Sequence, residues 1–295
     1  MKVLYRKKIA VLLSILLCLL CLVSCGNGTY TGENLKENEI ITQAPETVLR
    51  DPNGMPVPVY SDVERAKLDP ELLSFDENGK IVYADPDVQL YYGVDVSAFQ
   101  GDIDWNAVKN DGVDFVMLRL GGRGWGEKGL LYTDDAFFSY YRQATEAGLK
   151  VGAYFFSQAV TPEEAEEEAR YALDFLKDTP LDYPVAYDWE HIEDTPDART
   201  NNVSDEILTA CALRFCQVIE EGGYRPIIYF NRKLGYFFYD LSLVNHYGFW
   251  LAEFNTSPAF IYDYQMWQYS ESGTVNGIDT IVDLNISLVD YSRNQ

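Results

Sequence analysis

From residue 90 onward, short apolar runs alternate with segments in which apolar residues recur every three or four positions. The runs are typical of buried strands, and the longer period is typical of amphipathic helices. The predicted strands are 90–97, 113–121, 149–157, 182–190, 225–231, 247–254, 263–270 and 279–285. The predicted helices are 104–112, 134–148, 161–177 and 204–223.

This order predicts an α/β fold in which helices connect parallel strands by right-handed crossovers. About eight strands in roughly 200 residues favour an irregular TIM-like β/α barrel with fewer helices than strands. No strong helix is predicted between 263–270 and 279–285, so the last third is expected to be irregular. An open doubly wound sheet is the alternative, but no G-x-G-x-x-G or P-loop motif follows any predicted strand.

The residues before the barrel divide into three parts. Residues 1–24 have a basic head followed by an apolar stretch, which is typical of a signal peptide. Residues 25–60 are polar and predict a flexible tether. Residues 61–89 are mixed, with a possible helical turn and a short strand, and form a lead-in to the predicted domain at 90–295.

The end of the apolar stretch, Leu22-Val23-Ser24-Cys25, resembles the lipobox of bacterial lipoproteins. That resemblance implies cleavage before Cys25 and diacylation of its thiol. The protein is then expected to be exported and anchored by lipid to a bacterial membrane, facing the cell wall. An ordinary signal peptide that ends in a chance cysteine is the alternative.

Composition narrows the classes of partner and cofactor. The net charge of −23 argues against nucleic acid and anionic membrane surfaces as electrostatic partners. The 22 Tyr, 15 Phe and 5 Trp either fill the core or stack on flat ligands such as sugar rings. Cys211 and Cys216 lie five positions apart on one predicted helix and are interpreted as unpaired core residues. No metal-ligand spacing is present, and neither a metal nor a cofactor is expected.

Acidic residues recur near the ends of the predicted strands. They are Asp95, Asp188, Glu190 and Asp283. Side chains alternate along a strand, so Asp188 and Glu190 share one face and Trp189 takes the other. Active sites of β/α barrels lie at the carboxyl ends of the strands, where these acids are expected to surround one opening.

Such a cluster has two main uses. It can bind a hard cation such as Ca²⁺ or Mg²⁺. It can also hydrolyse glycosides, where one carboxyl group keeps its proton as the general acid while another stays ionised. Aromatic residues on the same strands favour the second use, namely Tyr154, Tyr187, Tyr229, Trp250 and Trp267.

Several segments together resemble the family 25 glycoside hydrolases, the Chalaropsis-type lysozymes. They are "GVDVSAFQGDIDWNAVKNDGVDFVMLRLGGRGW" (93–125), "GLKVGAYFFSQAVTPEEAEEEA" (148–169), D-x-E at 188–190, "IIYFN" (227–231) and "WQYSESGTVNGIDTIVDLN" (267–285). The resemblance implies an N-acetylmuramidase that cuts the β-1,4 bond between N-acetylmuramic acid and N-acetylglucosamine in peptidoglycan.

The resemblance also implies individual roles. Glu190 matches the general acid, and Asp188 matches the ionised partner that supports the oxazolinium ion formed by the substrate's own N-acetyl group. Asp95 and Asp283 match two further acids in the cleft. The predicted substrate-binding residues are Tyr154, Tyr229, Trp250, Trp267 and Gln268.

Two residues depart from the family pattern. Trp189 is bulky for the middle of D-x-E, and Glu253 adds an acid that is interpreted as an outward-facing surface charge. The chain is expected to act as a monomer. A membrane-tethered peptidoglycan-binding protein with weak or no hydrolysis is the alternative function, and a metal-dependent hydrolase is the other rival.

The lipobox interpretation predicts the result of Cys25→Ser. Serine lacks the thiol that receives the lipid, so the variant should leave the detergent phase on Triton X-114 partitioning while the wild type enters it. Equal partitioning of the two proteins would contradict lipidation at Cys25.

Overall fold

Eight strands close into a barrel, and short helices pack around most of its outer surface. The computed structural model describes residues 49–192 and 195–293, which belong to a unit that runs from Thr47 to Gln295. The predicted signal segment and Cys25 lie outside the described residues. No helix in the described part of the chain is long and apolar enough to cross a membrane.

Eleven strands are present in the described residues. They are β1 (Leu73–Phe75), β2 (Ile81–Tyr83), β3 (Tyr91–Val96), β4 (Phe115–Arg123), β5 (Leu131–Thr133), β6 (Lys150–Ser157), β7 (Val185–Trp189), β8 (Pro226–Asn231), β9 (Phe249–Ala252), β10 (Met266–Gly273) and β11 (Val282–Ser287). The α-helices are α1 (Trp105–Asn110), α2 (Phe137–Glu146), α3 (Pro162–Leu176), α4 (Asp205–Glu221), α5 (Arg232–Phe237) and α6 (Leu241–Val244). The predicted strands and helices are all present, and the short helices α5 and α6 are additional.

The barrel follows the order β3-β11-β10-β9-β8-β7-β6-β4, and the pairing of β3 with β4 closes it. Seven strands run parallel, whereas β11 is antiparallel to both of its neighbours. Among the barrel strands, β11 thus departs from the predicted parallel arrangement, and it lies in the last third of the chain, which was expected to be irregular. Residues 274–281, all of them described, contain no helix, and a parallel return requires a longer crossover.

Side chains alternate between the barrel interior and the helical layer. The interior cluster includes Phe115, Met117, Ile227 and Met266, while their strand neighbours join the larger cluster beneath the helices. Gly93 shows how full the interior is, because a Cβ atom there would lie 2.2 Å from Cζ of Phe115. The lower barrel is thus packed, and open space remains at the upper end.

Cys211 and Cys216 are unpaired and fully buried in α4, as predicted. Their thiols belong to the layer between α4 and the barrel. Burial raises the pKa of both thiols, which keeps them protonated and unreactive.

The described part of the predicted tether, residues 49–60, contacts the barrel. Tyr262 donates its hydroxyl to the carbonyl of Pro58 at 2.6 Å, and Tyr60 N–H donates to that hydroxyl at 2.9 Å. Asp51 also pairs with Arg232 at 3.4 Å. The flexible tether therefore stays a prediction only for the residues before 49.

The lead-in segment also packs on the domain. Strands β1 and β2 form a small antiparallel ribbon, and Tyr92 donates its hydroxyl to the carbonyl of Ile81 at 2.7 Å. Lys67 reaches Asp263 at 2.7 Å. The lead-in is thus attached to the barrel by both hydrogen bonds and an ion pair.

Candidate active site

All four predicted acids line one cavity of about 330 Å³ at the upper end of the barrel. Asp188 is the penultimate residue of β7, and Glu190 follows directly after that strand. Both side chains face the cavity, whereas Trp189 is buried outside the barrel and donates its indole N–H to the carbonyl of Ala159 at 2.9 Å. The predicted alternation across D-x-E is confirmed, and the bulk of Trp189 lies away from the cavity.

Asp283 reaches the cavity for a different reason from the one predicted. It lies at the start of β11 rather than at the carboxyl end of a parallel strand. Because β11 is antiparallel, its first residues lie at the same end of the barrel as the last residues of β3. Asp283 is the register partner of Asp95, which places the two carboxyl groups side by side.

Two relays, each a pair of hydrogen-bonded side chains, end at Oδ2 of Asp95. Asp95 is only 6% exposed. Gln268 donates from Nε2 at 2.9 Å, and Asn285 donates from Nδ2 at 2.7 Å. Tyr229 in turn donates its hydroxyl to Gln268 at 2.9 Å, and Trp250 donates its indole N–H to Asn285 at 2.8 Å. Strands β8 to β11 therefore cooperate to fix one carboxyl group.

The carboxyl groups of Asp95 and Asp283 are close enough to interact, which lowers the pKa of Asp95 and raises the pKa of Asp283. Burial, followed by repulsion from Asp95, raises the pKa of Asp283 to about 8. Burial also raises the pKa of Asp95, although the amide donors of Asn285 and Gln268 lower it. Asp283 is therefore the protonated donor of the pair near neutral pH, and Asp95 is the acceptor.

Asp188 differs from Asp95 in its hydrogen bonding. Within the described residues its Oδ1 is buried and has no hydrogen-bond partner. Burial raises the pKa of Asp188 well above its usual value, and the charges of Glu190 and Asp95 raise it further. Burial and the neighbouring acids thus oppose the ionisation of Asp188, which is predicted from the sequence to act as a charged group.

Arg119 supplies the nearest compensating charge on the cavity wall. It lowers the pKa of Asp188, in opposition to burial. Its Nε also lies 2.8 Å from Oδ2 of the buried Asp134 at the end of the β4–β5 hairpin. Glu271 is a fifth acid on the cavity wall. Sequence reasoning missed both residues. Alternation along β4 places Arg119 on the same inward face as Phe115 and Met117. Irregular register in β10 disturbs the alternation that would have indicated Glu271.

The predicted substrate-binding residues divide into two groups. Tyr154, Tyr229, Trp250 and Gln268 line the cavity. Trp267 does not, and its assignment as a substrate-binding residue is wrong. It is fully buried in the outer layer and donates its indole N–H to the carbonyl of Glu253 at 2.9 Å. Gln268 occupies the inward position of β10, so its neighbour must face outward.

Glu253 is not the surface charge that was expected, since it is 6% exposed. Its Oε2 accepts hydrogen bonds from the backbone N–H groups of Ala259 and Phe260 at 3.0 and 3.2 Å. Arg232 lies 3.2 Å from its Oε1. Burial raises the pKa of Glu253, while Arg232 lowers it. Glu253 orders the loop after β9 and does not line the cavity.

Metal binding is the other use that a cluster of acids can have. Across residues 49–192 and 195–293, no group of three or more His, Cys, Asp or Glu side chains is arranged to hold a metal ion. Among these acids, Asp95 accepts hydrogen bonds from the side-chain amides of Gln268 and Asn285.

A barrel with clustered acids at one end and aromatic residues on the cavity wall defines a class of carbohydrate-active enzymes. The chain belongs to the glycosyl hydrolases family 25, whose model matches residues 94–278. An autolytic lysozyme of Clostridium acetobutylicum is 30% identical over 194 residues, which are 65% of this chain and 54% of that protein. The match thus spans about half of that relative's length.

Two solved structures share the fold. A family 25 glycosyl hydrolase from Bacillus anthracis has a TM-score of 0.55 and 22% identity, with 69% of this chain and 90% of that one covered. The modular autolysin LytC from Streptococcus pneumoniae, solved with a synthetic peptidoglycan ligand, has a TM-score of 0.57 and 21% identity. That comparison covers 76% of this chain and 52% of LytC.

The protonation of Asp283 predicts how stability depends on pH. A folded pKa of about 8, against an ordinary value of 3.8, means that Asp283 contributes full stability below about pH 4. This contribution is lost as pH rises through 8. Asp283→Asn keeps an N–H donor for Asp95 but cannot ionise. Its melting temperature should exceed that of the wild type by at least about 2 °C at pH 9.

The difference should shrink or reverse at pH 4, where wild-type Asp283 is protonated. Asp279→Asn is the matched control, because this exposed acid lies on the loop just before β11 and undergoes the same change of charge. A melting-temperature difference for Asp283→Asn that is independent of pH would contradict the shared proton.

Proposed function

We propose that this protein hydrolyses peptidoglycan by cutting the β-1,4 bond between N-acetylmuramic acid and N-acetylglucosamine. Membership of family 25, the lysozyme relative and the peptidoglycan-bound structural neighbour support this proposal. The protein is further proposed to act as a monomer. The lipid anchor at Cys25 would hold the enzyme on the membrane, facing its substrate.

The unpartnered Oδ1 of Asp188 carries the proposal. A buried carboxyl oxygen without a donor is costly, and a ligand N–H group removes that cost. The N-acetyl group of an amino sugar carries such an N–H. Glu190 lies on the same face two residues further on, with a Cα–Cα distance of roughly 6.5–7 Å expected for extended backbone. A sugar whose amide binds Asp188 therefore brings its glycosidic bond towards Glu190.

The chemistry follows from this placement. Glu190 donates its proton to the glycosidic oxygen as the bond from that oxygen to C1 breaks. The acetyl carbonyl oxygen attacks C1 and forms an oxazolinium ion, whose N–H is held by Asp188. Asp188 acts in its ionised form, and its negative charge stabilises the positive oxazolinium ion. Water next attacks C1 and gives a proton to Glu190, while the bond from C1 to the acetyl oxygen breaks and restores the N-acetyl group.

The remaining cavity residues position the sugar. The Asp95–Asp283 pair presents one protonated and one accepting carboxyl group to sugar hydroxyls. Tyr229 and Trp250 support Asp95 through the two relays, so their aromatic rings are fixed as walls. A peptidoglycan-binding protein with weak or no hydrolysis would use the same cavity walls. Kinetic tests must therefore distinguish this alternative from a hydrolase.

Substitution of the two D-x-E acids tests the proposal. Glu190→Gln keeps the size of the side chain but cannot protonate the leaving oxygen, so turnover should fall by at least about 10²-fold with binding largely kept. Asp188→Asn removes the charge that supports the oxazolinium ion and should cost about as much. The measurement is the release of reducing ends from purified peptidoglycan. It should also show highest activity in mildly acidic solution, where the general acid is protonated.

Glu253→Gln is the matched control, because Glu253 is a buried acid that directly follows β9 and lies outside the cavity. It should lower the melting temperature and leave turnover within about three-fold below that temperature. Near wild-type turnover of Glu190→Gln would contradict the assignment of the acid. Tight binding of peptidoglycan by the wild type without new reducing ends would instead favour the binding-protein alternative.

A further inference from the structure

Glu190 lies just beyond the regular sheet. Strand β7 ends at Trp189, whose register partner on β6 is Ser157. On the other side, the pairing of β7 with β8 ends one residue earlier, at Asp188 and Tyr229. The backbone of Glu190 is therefore outside both ladders, although a general acid must be held within a fraction of an ångström to work well.

A glutamine side chain from the neighbouring strand end reaches this backbone. Gln158 follows directly after β6 and is fully buried. Its Nε2 donates to the carbonyl of Glu190 at 2.9 Å and to the carbonyl of Ser157 at 2.9 Å. Its Oε1 accepts from the hydroxyl of Thr200 at 3.4 Å. One amide thus connects the end of β6 to both sides of the loop that follows β7.

The backbone of Gln158 is anchored in turn by a buried ion pair. Glu168 on α3 is fully buried, and its Oε1 lies 2.7 Å from Nε of Arg123 at the end of β4. The same carboxylate accepts from the hydroxyl of Ser157 at 2.6 Å and from the backbone N–H of Gln158 at 3.4 Å. Because Arg123 is also buried, both charges are paired in a dry environment where displacement is costly. This arrangement fixes the position from which Gln158 reaches Glu190.

We propose that Gln158 is a positioning residue for the reaction, which holds the Glu190 backbone so that its carboxyl group points into the cavity. The inference rests on the proposed role of Glu190 as the general acid. Loss of the Gln158 amide leaves the Glu190 carbonyl without this donor, so the position of Glu190 becomes less fixed. The chemical step should suffer more than substrate binding, because the cavity walls on β8 to β11 do not depend on Gln158.

Gln158→Met tests this idea, because methionine has a similar length but cannot donate a hydrogen bond. With soluble peptidoglycan fragments as substrate, kcat should fall about ten-fold while KM stays within about two-fold. Gln158→Asn, which keeps the amide but shortens its reach, should show the same pattern. It provides the test if the methionine variant does not fold.

Gln265→Met is the matched control. Gln265 also bridges strand ends by hydrogen bonds, to the backbone N–H of Phe249 at 2.7 Å and to Asp263 at 3.2 Å. These contacts lie at the start of β9, at the end of the barrel away from the cavity. The control should lose stability and keep kcat within about two-fold of the wild type. Equal kcat values for the Gln158 and Gln265 variants would overturn the proposal.

A double variant separates positioning from a general structural effect. If Gln158 acts through the Glu190 carboxyl group, Gln158→Met should cause no further loss of kcat in the Glu190→Gln background. A further ten-fold loss in that background would overturn the inference and leave the role of Glu190 intact. Near wild-type turnover of Glu190→Gln alone would instead mark the failure of the proposed function.

Discussion

Mutual repulsion among carboxyl groups at the barrel mouth is the constraint to which the surrounding structure responds. Asp95, Asp188, Glu190 and Asp283 lie around a cavity above an interior that is otherwise apolar. Carboxylates placed together in such surroundings raise one another's pKa. The structure accommodates them by three means: a proton shared between Asp95 and Asp283, amide donors aimed at Asp95, and Arg119 on the wall.

These three means leave Oδ1 of Asp188 without a hydrogen-bond donor, and this missing donor favours the binding of a ligand. An acid that is buried and lacks a donor for one oxygen is unfavourable in the folded protein, and a ligand that brings an N–H group and a positive charge relieves it. The same reasoning explains why Asp283 is expected to lower stability at alkaline pH. Here the residues arranged for catalysis also lower the stability of the folded protein, as is common at active sites.

The sequence predicted the barrel and the clustering of acids well because both follow from local periodicity. Apolar runs marked the strands, and alternation within "YDWEH" correctly separated Asp188 and Glu190 from Trp189. Long-range geometry was harder to predict. Alternation along β10 puts Gln268 and Trp267 on opposite faces of the strand. It does not say which face points into the barrel, so Gln268 could be assigned to the inside and Trp267 to the outside only from the structure. Asp283 reached the mouth through an antiparallel strand, which residue types alone do not reveal.

The burial of Glu253 was equally hidden, because its partners are backbone N–H groups of a loop that carries no sequence signature. Similarly, Gln158 gave no signal in the sequence, since a glutamine at a strand end is commonly solvated. Its position became informative only through contacts with residues more than thirty positions away. Sequence patterns thus predicted the layer to which each residue belongs, whereas only the tertiary structure shows what each polar atom contacts.

The central claim concerns which bond is cut, and one measurement tests it directly. Purified peptidoglycan would be digested with the protein, reduced with borohydride and analysed by mass spectrometry of the released fragments. The account predicts that the new reducing ends are N-acetylmuramic acid, recovered as its reduced alditol. New ends at N-acetylglucosamine, 1,6-anhydro ends, or no new ends at all would contradict it.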